Sequence, residues 1–342
     1  MTIESLNREV RAQRGKPGGW PAEFTLSADE TADNVEINVD ASQAGDAAWK
    51  RVDPWGFAFL GHIRETSAPK PLRLNFFLGL PRSPKGPATY EALKRRLSYL
   101  TSANAADHLQ VGLFRDGSVD PLYTKEQLAQ RPPTEVIRSS FEGRTDKDTP
   151  GRLEKDFQTY LFGKGLYENV GAHTLRTNER LALLGGDFFG VGKLASARKQ
   201  GGYKVEREFP TGAFSGSVKE ANRILPTEYV DLVTLNRKGD LAVIEIKFDD
   251  PKLEVIAQVL NYALFFHSYR TQLTPLLDDK LGCATTGKNL VTYLVSNIFH
   301  ARFRRVWPYY SKGEGPLVLK QVVMGHMPDA PESSAARDLP PF

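Results

Sequence analysis

YVDLVTLNRKGDLAVIEIKF, residues 229–248, reads as two strands joined by a tight turn, with Asp231, Glu245 and Lys247 set inside otherwise apolar runs. A three-residue loop, Arg237-Lys238-Gly239, with Gly239 in the left-handed conformation of a type I turn plus bulge, pairs Asn236 with Asp240. Counting outward, Leu235 faces Leu241, Val233 faces Val243 and Asp231 faces Glu245. Strand side chains alternate, so Lys247 shares the face of Glu245. The rest of that face is apolar, and so is the opposite one (Val230, Leu232, Ala242, Ile244, Ile246), so both sides of the sheet read as covered. Two carboxylates opposed in such a place repel, and burying them unpaired would cost several kcal/mol. Lys247 alone cannot neutralise both. A divalent cation held by oxygen ligands would, and Mg2+ characteristically takes one or two carboxylates plus substrate phosphate. The competing reading is a fold-stabilising Asp–Lys–Glu cluster, or a charged strand end exposed at a sheet edge.

The flanks add weight to the first reading. Downstream, Asp250 as N-cap and Pro251 at the first helical position predict a helix running to about Phe266. Gln258 and Tyr262 lie four residues apart on it and so share a face. Upstream, a helix from about Thr149 to Phe162 carries Leu153, Phe157, Tyr160 and Leu161 at helical spacing, with Glu154 at the border of that stripe. Glu179, in NERLALLG, competes with Glu154 for any role over the same sheet end. With strands at Tyr203–Phe209, Tyr229–Leu235, Leu241–Phe248, Leu290–Ser296 and Leu317–Met324 and a helix over Phe299–Tyr310, the second half has the order α-β-β-β-α-β-α-β.

These residues resemble the PD-(D/E)xK, or restriction-endonuclease-like, nuclease superfamily: a helix with a glutamate (Glu154), a three-stranded meander carrying Asp231 and then Glu245-Ile246-Lys247, and a following helix and strand. Gln258-Val-Leu-Asn-Tyr262 looks like the Q-h-x-x-Y motif of its RecB-like branch. Val230 stands where the family has proline, and 76 residues separate Glu154 from Asp231, longer than the minimal core. The resemblance implies an α/β fold, a mixed sheet flanked by helices in α-β-β-β-α-β order. It also implies metal-dependent hydrolysis of phosphodiester bonds, with Asp231, Glu245, the carbonyl of Ile246 and Glu154 around Mg2+ or Mn2+. Lys247 would orient or activate the attacking water, and Gln258 and Tyr262 would position Lys247 or the phosphate. The expected activity is that of a deoxyribonuclease in DNA repair or in defence against foreign DNA. A catalytically idle nucleic-acid-binding or assembly module of the same fold, or an RNA-cleaving enzyme, are the alternatives.

The first half carries no comparable motif. Strand-like runs at Val35–Val39, Phe57–Ile63, Arg73–Leu80 and Leu109–Phe114 and a helical pattern at Tyr90–Leu100 suggest an α+β domain over residues 1–145. The polar, turn-rich stretch Arg138–Gly151 then marks a boundary to a nuclease domain over 146–328, and 329–342 reads as a loose tail. The task of the domain over 1–145 is expected to be substrate or partner selection. Lys94-Arg95-Arg96 reads as a solvated helical face, and His62 and His108 lack metal-ligand spacing. The net charge of +4 falls entirely after residue 150, where 25 Lys and Arg face 21 Asp and Glu. Within that half, HARFRRVWPYYSK (300–312) has no acid, and Arg302, Arg304 and Arg305 are the candidates for DNA phosphates. Lys193, Arg198, Lys199 and Lys204 form a second basic group.

A single cysteine, Cys283, excludes an intrachain disulfide and a cysteine-clustered zinc site. GGDFFGVGKLAS fails as a phosphate loop, because Leu194 follows Lys193 where Ser or Thr is needed. No membrane-length apolar run and no apolar leader segment are present, so a cytoplasmic setting is expected, as a homodimer or with a separate partner protein.

Overall fold

The computed structural model describes residues 2–31, 33–66, 70–129, 134–137, 153–162, 181–188, 205–281, 287–313 and 317–324. The fold is mixed α/β, two mixed five-stranded sheets with helices packed against them. Helix α1 (Ile3–Gln13) precedes the first sheet, whose strands β1 (Thr25–Glu30), β2 (Val35–Ala41), β3 (Leu72–Leu78), β4 (Leu109–Arg115) and β5 (Ser118–Val119) lie side by side in chain order. β2, β3 and β4 are parallel, and the edge strands antiparallel. Parallel neighbours need long crossovers, and these are helices α2 (Val52–Thr66) and α3 (Gly86–Ala103).

The crossover requirement explains the principal correction to the sequence reading. Phe57–Ile63, expected as a strand, belongs to α2. Every residue from Val52 to Gly61 is buried, so the run is apolar all round and shows neither a period of two nor one of 3.6. A second correction concerns α3. Arg95 and Arg96 are buried rather than solvated, because acids on neighbouring elements meet them.

The short α4 (Lys125–Ala129) and β6 (Glu135–Ile137) follow, then α5 (Leu153–Phe162). The second sheet has β7 (Glu206–Pro210), β9 (Tyr229–Leu235), β10 (Leu241–Lys247), β11 (Leu290–Ser296) and β12 (Leu317–Val323) in the order β12-β11-β10-β9-β7. β8 (Ala213–Ser215) pairs instead with β6. β7, β9 and β10 form an antiparallel meander, and β11 and β12 extend it in parallel. The β9–β10 turn is as the sequence predicts: Asn236 N–H donates to Asp240 O at 3.0 Å, Gly239 has φ +79°, and Leu235 and Val233 face Leu241 and Val243.

Three further helices complete the described chain: α6 (Val255–Ser268), α7 (Arg270–Leu281) and α8 (Phe303–Tyr310). α6 starts later than Asp250 suggested. Asp249 adopts φ +54°, and the Asp250 carboxylate is taken by the Lys252 ammonium at 2.9 Å, so the chain turns once more before the helix. α7 was missed because Pro275 interrupts its pattern, although Leu273, Leu277 and Leu281 recur every four residues and are buried. α8 begins at Phe303 rather than Phe299, since the His300 Nδ1 accepts the Arg302 N–H and holds a turn there.

Hydrophobic residues form two cores with α6 as the wall between them. Ile256, Val259, Leu260, Ala263 and Leu264 face the first sheet's core, which Phe303, Val306, Tyr309 and Tyr310 of α8 also enter. Tyr262, Phe265 and Phe266 face the second. A helix whose apolar residues serve two cores is buried along most of its surface. The expected boundary at Arg138–Gly151 and the tail lie outside the described residues. Among the described residues no helix is long and apolar enough to cross a membrane.

Candidate active site

Asp231 and Glu245 sit where β9 and β10 part. The two strands pair only as far as Leu232 and Ile244. Beyond that, Asp231 Oδ2 accepts the backbone N–H of Ile246 at 2.7 Å, so a carboxylate stands in for the next rung of the ladder. β10 meanwhile stays paired with β11 as far as Lys247 and Ser296. The splay leaves both acids enclosed, Asp231 9% and Glu245 1% exposed.

Lys247 gathers the acids. Its Nζ lies 2.8 Å from Glu245 Oε1, donates to Glu154 Oε1 at 3.1 Å, and donates to its neighbour's carbonyl, Ile246 O, at 3.0 Å. Glu154 reaches in from α5, and Gln158, one turn further along that helix, follows it. Gln158 Nε2 is 3.2 Å from Asp231 Oδ1, 3.1 Å from Asp231 O and 3.3 Å from Glu208 Oε1. Glu208 comes from β7, where the pairs Arg207–Leu232 and Phe209–Val230 bracket it opposite Asp231. Its φ of +54° is a strained conformation for a glutamate.

Burial dominates the electrostatics. It pushes the Asp231 carboxyl up to about 7, against the pull of Lys247 and the Ile246 N–H. Burial, and then the neighbouring Asp231, also hold Glu245 well above the usual carboxylate range. For Lys247 burial acts the other way, but Glu245, Asp231 and Glu154 together outweigh it and raise the ammonium above its ordinary value. With every carboxyl ionised, one cation would face more negative charge than it balances, so Asp231 and Glu245 hold their protons to higher pH. One oxygen of the set, Glu245 Oε2, is buried with no hydrogen-bond partner among the described residues.

On the other side of the hairpin, Gln258 Nε2 donates to the Tyr262 hydroxyl at 2.7 Å, and that hydroxyl donates to Tyr229 O at 2.9 Å. Tyr262 is buried, and burial followed by the charge of Glu245 keeps it protonated. Gln258 therefore fixes the tyrosine hydroxyl, and Tyr262 ties α6 to the first residue of β9.

Among the described residues no three His, Cys, Asp or Glu side chains stand ready to enclose a metal ion; Lys247 lies between Glu154 and Glu245. The donor chemistry nevertheless fits a hard divalent cation. Two fixed, buried carboxylates, one with an oxygen that has no hydrogen-bond partner among the described residues, and a backbone carbonyl are oxygen donors of the kind such an ion takes.

The structure thus brings Asp231, Glu245, Ile246, Lys247 and Glu154 together, with Gln258 and Tyr262 on the adjoining helix. Glu179 and the basic group Lys193, Arg198, Lys199 and Lys204 lie outside the described residues. Of the α8 arginines, Arg302 is stacked over Trp20 at 4.4 Å and donates to Gly18 O, and Arg305 pairs with Glu65 at 2.7 Å. Arg304 is exposed. Gln158 and Glu208 were missed. Gln158 could have been found by the four-residue spacing from Glu154, whereas nothing in EREFP separates Glu208 from a surface glutamate.

No family model matches the sequence, and no curated protein does. Among solved structures, the crystal structure of a repair endonuclease from Pyrococcus abyssi aligns with a TM-score of 0.18 and 14% identity, over 29% of this chain and 33% of that one. So partial a likeness, spanning about a third of that protein, decides neither fold nor activity.

Proposed function

We propose that this protein is a metal-dependent nuclease of PD-(D/E)xK type that hydrolyses phosphodiester bonds in DNA. The observation that carries the reading is the convergence of Asp231, Glu245, Ile246 O and Lys247 at one splayed strand end, two buried carboxyls around a single lysine with one oxygen unpartnered among the described residues. A purely structural cluster would have no use for an orphaned carboxylate oxygen.

Asp231, Glu245 and the Ile246 carbonyl would hold Mg2+ or Mn2+, with Glu154 completing the shell directly or through water. When bound, the ion would polarise the scissile phosphate and lower the pKa of a water. Lys247, kept charged by the acids around it, acts as a donor: it orients the nucleophile and offsets the charge that grows on the phosphate oxygens. Gln158 holds Asp231 in place. Arg304 is the α8 arginine left to contact DNA phosphates; Arg302 and Arg305 serve the fold. We assign substrate or partner selection, in repair or defence, to the N-terminal unit, with a cytoplasmic setting and a homodimer or separate partner as the assembly.

The test is cleavage of single- and double-stranded DNA, and of RNA, with Mg2+, Mn2+ or EDTA, comparing the parental protein with Lys247→Ala. Metal-dependent cleavage lost in the variant supports the reading. A variant as fast as the parent refutes the role of Lys247, and nucleic acid bound but never cut points to an idle module.

A further inference from the structure

The buried arginine of α3 offers more than packing. Arg96 is fully buried and forked onto Asp53 of α2, with Nε to Oδ2 at 2.9 Å and Nη2 to Oδ1 at 2.7 Å, and the Tyr310 hydroxyl of α8 also donates to that carboxylate. The ion pair is thereby satisfied. Arg96 nevertheless extends three further contacts, one of them from Nη2 to Trp49 O at 3.4 Å. Its Nη1 donates to Asn261 Oδ1 at 2.8 Å, and its Nη2 to Lys50 O at 3.3 Å. Asn261 is the residue before Tyr262 on α6. Lys50 closes the short helical turn Asp46–Lys50, and its ammonium pairs with Glu228 Oε1 at 3.0 Å. Glu228 is the residue before Tyr229, and it is fixed in turn by Thr211, with which it exchanges backbone and side-chain hydrogen bonds.

Two of these contacts, to Asn261 directly and through Lys50 to Glu228, therefore lead next to the two ends of one hydrogen bond, from the Tyr262 hydroxyl to Tyr229 O. That bond sets the distance between α6 and the strand that carries Asp231 two residues further on. We infer that Arg96 and Lys50 are positioning residues for the nuclease site, the N-terminal unit setting the placement of Tyr262 against β9 through Asn261 and Glu228. This rests on the nuclease reading above. The half-exposed Lys50–Glu228 pair contributes little stability, which makes it a suitable place to separate alignment from folding. The arrangement also means that a ligand or partner moving the Asp46–Lys50 turn would act on catalysis without touching the metal site.

The experiment is a double-mutant cycle in the full chain. Lys50→Ala and Asn261→Ala are made alone and with Tyr262→Phe, which removes the hydroxyl through which they are inferred to act. Each single variant is expected to lower kcat roughly tenfold, with KM and Mg2+ binding little changed, since small misplacements of catalytic groups cost rate rather than binding. In the Tyr262→Phe background neither is expected to lower it further, and Asn261→Asp, which keeps an oxygen for Arg96, restores most of the rate. Unchanged kcat, or losses that multiply with that of Tyr262→Phe, overturns the inference while leaving the nuclease reading intact. Amide hydrogen exchange over residues 227–233 and 256–266 provides an arm that needs no activity. Faster exchange in both segments is expected, and unchanged protection overturns the inference. A parental protein that cuts no nucleic acid, with exchange accelerated in the variants, refutes the nuclease reading alone.

Discussion

Replacing Asp231 with asparagine should make the metal-free protein more stable at neutral pH, although it removes a residue of the proposed active site. Asp231 is enclosed, and its carboxyl rises from 3.8 to about 7, first through burial. Because the folded value lies above the unfolded one, the folded chain holds this proton more tightly. That advantage is complete below the unfolded value and is lost as the pH climbs toward and through about 7. Each tenfold change in proton affinity is worth about 1.4 kcal/mol, so the ionised group costs the folded state roughly 4 kcal/mol at pH 8. Asparagine keeps an oxygen for the Ile246 N–H, and the Gln158 amide can turn to meet its NH2. It also leaves Lys247 to Glu245 and Glu154, which it already contacts. Urea unfolding in EDTA should show the variant level with the parent near pH 4 and about 2–4 kcal/mol more stable at pH 8. Saturating Mg2+ should narrow the gap, because only the parent gains binding energy. A variant no more stable than the parent at pH 8, or a difference independent of pH, would refute the electrostatic account of the site.

The same acids predict that Mg2+ binds more tightly as the pH rises from 6 to 8 and displaces protons on binding; calorimetry in buffers of different ionisation heat measures the release, and its absence would show both carboxyls already ionised. Glu208→Gly should exceed Glu208→Ala in stability by about 1 kcal/mol, since only glycine relieves the positive φ, yet both should lose cleavage rate; equal stabilities would mean that the backbone at 208 is unstrained. Arg96→Met should cost about 3–5 kcal/mol by leaving Asp53 buried without its partner, and the Asp53→Leu/Arg96→Met pair should recover much of it, as equilibrium unfolding can test.

What the sequence made legible follows from how local each signal is. The β9–β10 hairpin was readable to the residue because a glycine-closed turn fixes register, and register fixes faces. That alone placed Asp231 and Glu245 at one strand end. Their detailed relation was not readable: the ladder stops one rung early because the Asp231 side chain takes the Ile246 N–H, a competition between side chain and backbone that no periodicity encodes. Apolar runs without a period failed differently. Phe57–Ile63 and α6 are both buried along most of their length, and α6 was read as a helix from the Asp250-Pro251 start ahead of it. The charged run Lys94-Arg95-Arg96 was misread because its partners Asp53, Glu91 and Glu135 lie far away or look like surface acids. Long-range pairing of this kind is settled by the fold, and it is also what joins the two halves.

That joining makes a strong prediction about excising residues 146–328, the natural choice if the nuclease unit were independent. α6 would then present Ile256, Val259, Leu260, Ala263 and Leu264 to water, all now buried against the first sheet's core. At about 1.5–3 kcal/mol for each large side chain, exposing this face costs on the order of 10 kcal/mol, comparable to the whole stability of a typical domain. Asn261 would lose Arg96 and Glu228 would lose Lys50, so even a fragment that stayed folded would hold Tyr262 less firmly. The fragment should therefore be insoluble, or bind hydrophobic dyes and lack a cooperative unfolding transition, while the full chain unfolds with the two cores melting together. A soluble 146–328 fragment with a sharp transition and full cleavage activity would show that α6 needs only one of its two cores, and that the first sheet is an attachment rather than part of the catalytic scaffold.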